Sequence, residues 1–291
     1  MENDPYLTYE REFELNKTAV KLRMEIVKEI GHLGVGHVGG SMSIVDILTV
    51  LYWEVMDIRP ENPKWEQRDR LIVSKGHAGP ALYAALAMKG FFPKEMLMTL
   101  NQPGTSLPSH CDRLKTPGID MTTGSLGQGI SSAAGIALAC RMKGLNNYVY
   151  SIIGDGECNE GQVWEAALFA AHRKLSNFIV FADYNHQCLD GRTEDICDLG
   201  DLDKKFKEFN WYTQSVAGHD IRSLYNAINN AKAQTEKPSM IVMNTIKGRG
   251  VKDWEGSPSN HNMSLTKEST QAALEELRFA LQRLPEVKPC Q

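Results

Sequence analysis

The stretch from Tyr148 to Asn185 constrains the fold of this chain more than any other. Tyr148 to Ile153 is an uncharged run rich in β-branched and apolar residues that ends at Gly154-Asp155-Gly156. It passes into a segment whose apolar residues Val163, Ala166, Ala167 and Ala170 recur at helical spacing, and a second apolar run, Phe178 to Ala182, follows. The order is strand, glycine turn, helix, strand. A crossover of that kind joins parallel strands, so the glycine turn and the residues after the second strand share the C-terminal edge of the sheet, where open α/β folds bind ligands. Asp155 and Asn185 should therefore be neighbours, although thirty positions separate them. One carboxylate and one carboxamide make a poor cage for Mg²⁺ or Ca²⁺ alone, but a good one if a ligand's phosphates supply the remaining oxygens. The two glycines allow close backbone approach, and the helix after them offers its N-terminus to negative charge. The residues thus point to a metal-bridged diphosphate.

Beyond this stretch, Val35-Gly36-His37, Ser74-Lys75-Gly76-His77, His110, Thr122-Thr123-Gly124-Ser125-Leu126-Gly127-Gln128-Gly129 and the segment around His261 fall in a distinctive order. Together with Gly154-Asp155-Gly156 and Asn185 they resemble the thiamine diphosphate motif and the N-terminal domain of transketolase, over roughly Leu15 to Leu265. The resemblance implies a doubly wound parallel α/β sheet of the diphosphate-binding kind, and we expect a single domain over residues 1–291. It also implies thiamine diphosphate with Mg²⁺, for which Ca²⁺ or Mn²⁺ can substitute, held by Asp155, Asn185 and the main-chain carbonyl of Gln187. Contacts to the cofactor would come from His77, Gly124, Ser125, Leu126, Gly154, Asp155, Gly156, Glu157, Asn185, Leu189 and His261. Leu189 would touch the thiazolium ring. Gln187 departs from the aliphatic residue usual at its position, which affects local packing but not the carbonyl.

In such enzymes the cofactor is the electron sink that no side chain provides. Breaking the C2–C3 bond of a ketose then needs a base for the C3 hydroxyl, and histidine suits that task because its ordinary pKa lies near neutrality. By resemblance His37, His77, His110 and His261 line the substrate channel. His32, His172, His186 and His219 have no such support, and His172, beside Arg173 and Lys174, reads as part of a solvated face. These enzymes also need a second, pyrimidine-binding domain, which the resemblance does not extend to. We therefore expect a diphosphate-binding subunit of a split transketolase, paired with a C-terminal transketolase subunit in an α₂β₂ heterotetramer and transferring a ketol unit from a ketose to an aldose. Two alternatives stay open: an α chain of a 2-oxo-acid dehydrogenase, which the channel histidines disfavour, and a non-catalytic subunit retaining the fold. The donor could be a pentose or hexose phosphate, apulose phosphate or a sulfonated ketose. Arg249 is the one local candidate for gripping a distal anion, and that task falls mostly to the pyrimidine domain.

Composition agrees with an enzyme of this class. With 42% hydrophobic residues the chain can bury a large core, and a net charge of −4 with scattered Lys and Arg argues against nucleic acid or an anionic membrane. No apolar run is long enough to span a bilayer and the N-terminus is too acidic for a signal peptide, so the expected location is the cytoplasm. The six cysteines form no CxxC pair, which suggests reduced thiols; Cys158 and Cys188 lie near the glycine turn and its metal-ligand region. Elsewhere, apolar spacing predicts a first helix over Glu12 to Ile30, a second helix capped by Ser41, a strand at Arg70 to Ser74, and helices from Pro80 to Lys89 and Ile130 to Met142. Strands at Trp211 to Val216 and Ser239 to Ile246 flank a helix from Ile221 to Ala233. Lys247 to Asn260 reads as an active-site loop, and an amphipathic helix from Thr266 to Leu284 precedes Pro285 and Pro289.

Overall fold

The computed structural model describes residues 7–284. Its centre is a parallel sheet whose strands alternate side chains into two separate apolar layers. In β3 (Val149–Gly154), β4 (Phe178–Tyr184) and β6 (Ser239–Asn244), residues such as Val149, Ile153, Val180 and Met240 enter one layer. Their neighbours Tyr150, Ile152, Phe181 and Ile241 enter the other. These strands, mostly apolar, are buried on both faces, which is the condition for a parallel sheet covered by helices on each side. With β2 (Arg70–Val73) and β5 (Tyr212–Ala217), the order is β2-β3-β4-β6-β5, every pair parallel. The expected doubly wound architecture is present.

Helices α1 (Tyr9–Leu33), α3 (Val45–Val50), α4 (Gly79–Lys89) and α9 (Ile221–Lys232) pack on one face. On the other lie α5 (Gln128–Met142), α6 (Gly161–His172) and α8 (Leu202–Glu208). A short pair, β1 (Val35–Gly36) with β7 (Met263–Ser264), runs antiparallel and brings the His37 and His261 segments side by side. Helix α10 (Lys267–Gln282) lies on α1. Leu281 in its last turn and Leu284 beyond its end are only partly buried, while Ala273, Leu274 and Leu277 form the inward face. Pro285, Pro289 and Cys290 lie outside the described residues.

Two local expectations are corrected. Ser41 does not cap a helix: it is buried inside the short α2 (Val38–Met42), and the helical run continues as α3 and a wider π turn at Leu51–Val55. The glycine turn does not lead straight into a helix either. A 3₁₀ turn, Gly156–Asn159, intervenes before α6 begins at Gly161, so Asp155 caps that turn rather than α6.

Glu29 in α1 is fully buried, and neither carboxyl oxygen has a hydrogen-bond partner. Burial, with Glu25 adding like charge, pushes its pKa well above the usual carboxylate range. Burial thus favours its neutral form, which still lacks partners, at a cost of about 1–3 kcal/mol. Glu29→Met should accordingly raise the midpoint of thermal unfolding at pH 7, and more so at higher pH, because a raised folded-state pKa means stability lost as pH rises. A lower midpoint in calorimetry would reject this.

Candidate functional site

At the C-terminal edge of the sheet, β3 ends with Gly154 opposite Asp183 of β4, and Asp155 and Asn185 follow directly. The expected proximity is observed: the Asn185 backbone N–H donates to Asp155 Oδ2 at 3.0 Å. The Gly156 N–H donates to Asp155 Oδ1 at 2.8 Å. A side chain at Gly156 would place its Cβ 2.9 Å from that of Cys188, so glycine here admits the Cys188 segment over the turn. Gly76 serves the same purpose, because an added Cβ would lie 2.6 Å from the Gly124 backbone nitrogen.

These residues wall a cavity of about 400 Å³ that also contains His37, His77, His110 and His261. His37 is central: its ring lies 5.5 Å from His77, 5.7 Å from His110 and 5.5 Å from His261, between ring centroids. His77 and His261 are 5.0 Å apart. Four segments distant in sequence thus deliver one imidazole each. The Gly39 N–H to Asn260 carbonyl bond (2.8 Å) and the Gly248 N–H to Gly39 carbonyl bond (3.1 Å) clamp two of those segments together. Burial lowers the pKa of all four rings. Beyond burial, His110 and Lys247 act on His37, Lys75 acts most on His77, and Lys247 helps push His261 down to about 4. Near neutral pH the cluster is a set of uncharged imidazoles, each able to accept or donate one proton.

Most cofactor candidates border the cavity: Gly124, Leu126, Gly154, Gly156, Glu157 and Leu189 all do, whereas Ser125 is exposed and lies outside the lining. Glu157 is buried and accepts from Ser74 Oγ, the Gly127 N–H (2.8 Å) and the Gly154 N–H (3.0 Å). It staples three segments of the rim together. Arg249 does not reach the cavity: its guanidinium pairs with Glu255 at 3.1 Å. His219 is structural, its Nδ1 set 2.7 Å from Asp46 and its Nε2 accepting from the Ile246 N–H at 2.8 Å. Cys158 is buried and its thiol pKa is raised by burial, so it is unreactive; Cys188 borders the cavity.

Sequence reasoning assigned no role to two lysines here. Lys75 is buried and ion-paired with Asp183 at 2.6 Å, and it also donates to the Gly40 carbonyl at 2.8 Å. Lys247 is buried too, but its ammonium meets the carbonyls of Gln187 (3.2 Å) and Cys188 (3.1 Å) and His261 Nδ1 (3.3 Å), with no carboxylate in ion-pair range among the described residues. Both stand in motifs already singled out as functional. A lysine in an otherwise apolar or glycine-rich stretch, flanked by cavity residues, was the available signal.

Asp155 tests the fit of a cation to this site. Burial first, and then the neighbouring Asp183, raise its pKa to about 6. A carboxylate so placed favours a bound cation. The donors fit one: the Asp155 carboxylate accepts the Gly156 and Asn185 N–H groups, with the His186 N–H also acting on it, and two oxygens leave lone pairs to spare; Asn185 Oδ1 accepts the Gln187 N–H, and the Gln187 carbonyl accepts from Lys247, each with a lone pair to spare. Among the described residues no group of three His, Cys, Asp or Glu side chains could hold a metal unaided. The ligand's own oxygens would have to complete the shell.

A doubly wound sheet whose C-terminal edge joins a cation-seeking carboxylate to a cluster of neutral imidazoles defines a cofactor-dependent α/β enzyme domain. Comparison with known proteins narrows that class. The chain belongs to the transketolase family: residues 15–287 match the transketolase thiamine diphosphate binding domain. It is 54% identical over 268 residues to a 6-deoxy-6-sulfo-D-fructose transketolase subunit from Clostridium sp., covering 92% of this chain and 98% of that protein. It is 37% identical to an apulose-4-phosphate transketolase subunit from Actinobacillus succinogenes, covering 94% of this chain and 99% of the relative. The solved transketolase of Campylobacter jejuni superposes with a TM-score of 0.85 at 29% identity, over 91% of this chain but only 43% of that one. The protein is accordingly a thiamine diphosphate-dependent enzyme of the transketolase type. Among the described residues no helix is long and apolar enough to cross a membrane.

Proposed function

We propose that this chain is the diphosphate-binding subunit of a two-chain transketolase. It transfers a two-carbon ketol unit from an anionic ketose to an aldose acceptor, with Mg²⁺ and thiamine diphosphate held by Asp155, Asn185 and the Gln187 carbonyl. The observation that carries this reading is one cavity combining that donor set with four mutually adjacent imidazoles. The cofactor, when bound, supplies the nucleophile and the electron sink. This chain's residues do the rest. Lys247, the buried cation without a carboxylate, is placed to offset diphosphate charge. Neutral His37, at the centre of the cluster, can take the proton of the ketose C3 hydroxyl, with His77 and His110 beside it to relay or orient. Leu189, exposed at the cavity rim, offers an apolar contact to the cofactor.

We further propose a partner chain that carries the pyrimidine-binding domain, in an α₂β₂ assembly located in the cytoplasm, with residues 1–291 acting as one domain. The word "subunit" in the names of the two relatives supports a partner. The name of the more similar of these two supports trying a sulfonated ketose as donor before phosphorylated ketoses. The test is reconstitution. This chain, mixed with a chain carrying a transketolase pyrimidine-binding domain, should transfer ketol units from at least one ketose of a sulfonated and phosphorylated panel, while either chain alone shows none. Turnover by this chain alone would overturn the two-chain reading. Oxidation of 2-oxo acids onto a lipoyl acceptor would replace ketol transfer.

A further inference from the structure

We propose that Lys247 is a positioning residue that fixes the tautomer of His261, keeping the ring proton on Nε2 so that this imidazole serves only as a hydrogen-bond donor to a ligand oxygen.

The argument is a count of donors and acceptors. An ammonium has three N–H donors and no acceptor. The Lys247 ammonium has three neighbours: the Gln187 carbonyl at 3.2 Å, the Cys188 carbonyl at 3.1 Å and His261 Nδ1 at 3.3 Å. Two of them are carbonyl oxygens, which can only accept, so two donors are spent there. The third faces Nδ1. A proton on Nδ1 would set N–H against N–H beside a buried positive charge, so Nδ1 must present its lone pair. A neutral imidazole has one proton, and it then sits on Nε2, across the ring from Lys247. The ring is in fact neutral, since burial and Lys247 push its pKa down to about 4.

His261 cannot then be the base that abstracts a hydroxyl proton, because the nitrogen it has left to offer already bears one. Proton abstraction falls to His37, His77 or His110, and His261 is reserved for an oxygen carrying partial or full negative charge. That division of labour rests on the transketolase reading. The tautomer does not, because it follows from protein atoms alone.

The first measurement is on the wild-type protein without cofactor. Long-range proton–nitrogen NMR at pH 7.5 on histidine-labelled protein, with the His261 signals assigned by their loss in H261Q, should show the Nε2–H form. An Nδ1–H ring in the wild type would overturn the proposal. In K247M the Nδ1–H form should gain about tenfold or more, the factor that one charge-assisted hydrogen bond supplies. K247R, which keeps a donor, should restore the wild-type pattern, and an unchanged ratio in folded K247M would again overturn the proposal. Titrating Mg²⁺ and thiamine diphosphate, and then a ketose, should move the Nε2–H resonance downfield at the step that brings the acceptor, separating a diphosphate oxygen from a substrate oxygen. No movement at either step would remove the donor role. Failed reconstitution alongside an Nε2–H ring would sink the ketol-transfer reading and leave the tautomer intact.

Discussion

Asp155→Asn is expected to abolish Mg²⁺-dependent binding of thiamine diphosphate in a calorimetric titration, while the cofactor-free protein stays as stable as the wild type or becomes more so. The two halves of that result have one cause. Asp155 is buried close to Asp183, so its ionised form is disfavoured until a cation arrives. Without the cation the carboxylate costs stability; in the proposed ligand set of Asp155, Asn185 and the Gln187 carbonyl, the same carboxylate is the charged donor. The carboxamide removes the charge and keeps an oxygen for the Asn185 N–H or the Gly156 N–H. Asn185→Ala removes a neutral donor and should weaken binding by about 10- to 100-fold or more. Unchanged affinity in both variants would remove the metal assignment, and with it the diphosphate site.

The same carboxyl predicts a pH dependence. Its folded-state pKa, about 6, lies above the ordinary value of 3.8, so in the absence of metal it contributes stability at low pH that is lost as pH rises through 6. Metal binding needs the ionised form and releases the proton, so affinity for Mg²⁺ and cofactor should fall about tenfold per pH unit below 6. Titrations at pH 5, 6 and 7.5 check the sign.

Much of this site is legible in the sequence. The strand, glycine turn, helix and strand from Tyr148 to Asn185 could be read because burial on both faces of a parallel sheet leaves an unbroken apolar run, and because a right-handed crossover sends both strand ends to one edge. The four histidines were legible only through the family pattern. Each stands alone in its segment, and the His37 and His261 segments meet through backbone contacts, such as Gly39 to Asn260, between residues more than two hundred positions apart. The 3₁₀ turn after Asp155 was missed because Glu157 reaches back to the Gly154 N–H and across to Gly127 and Ser74, a tertiary bond network that overrides helical periodicity. Ser41 was misread for a similar reason. A serine after glycines is the local signature of a cap, but here it lies within a buried helical turn. The lysines were invisible as structural elements since a charge gains meaning in a core only from its partner, and Asp183 lies 108 positions from Lys75.

That pair carries the largest expected effect on stability. Asp183 is fully buried and receives Lys75 Nζ at 2.6 Å, Ser43 Oγ at 2.7 Å, Asn185 Nδ2 at 2.8 Å and the Thr245 hydroxyl. Burial pushes its pKa up, but the Lys75 charge and these hydrogen bonds outweigh it, and the carboxyl is held below its usual range. Lys75→Met removes the ammonium paired with Asp183 and strands the carboxylate in the core, which should cost about 3–5 kcal/mol and lower the unfolding midpoint by about 6–15 °C. The sign with pH distinguishes this from simple loss of packing. A depressed folded-state pKa means that the wild type's stability from Asp183 is present above the unfolded value and lost as pH falls through the folded one. In Lys75→Met burial governs, Asp183 takes up a proton more readily, and the deficit against wild type should shrink as the medium is acidified. Adding Asp183→Asn to Lys75→Met should recover a substantial part of the loss, because the stranded charge is gone. A shift of only about 1–2 °C in Lys75→Met, or a deficit that grows in acid, would mean that the pair holds little of the fold. Because Asn185 donates to the same carboxylate, the weakened variant should also bind Mg²⁺ and thiamine diphosphate less tightly, although Lys75 itself gives no oxygen to the metal.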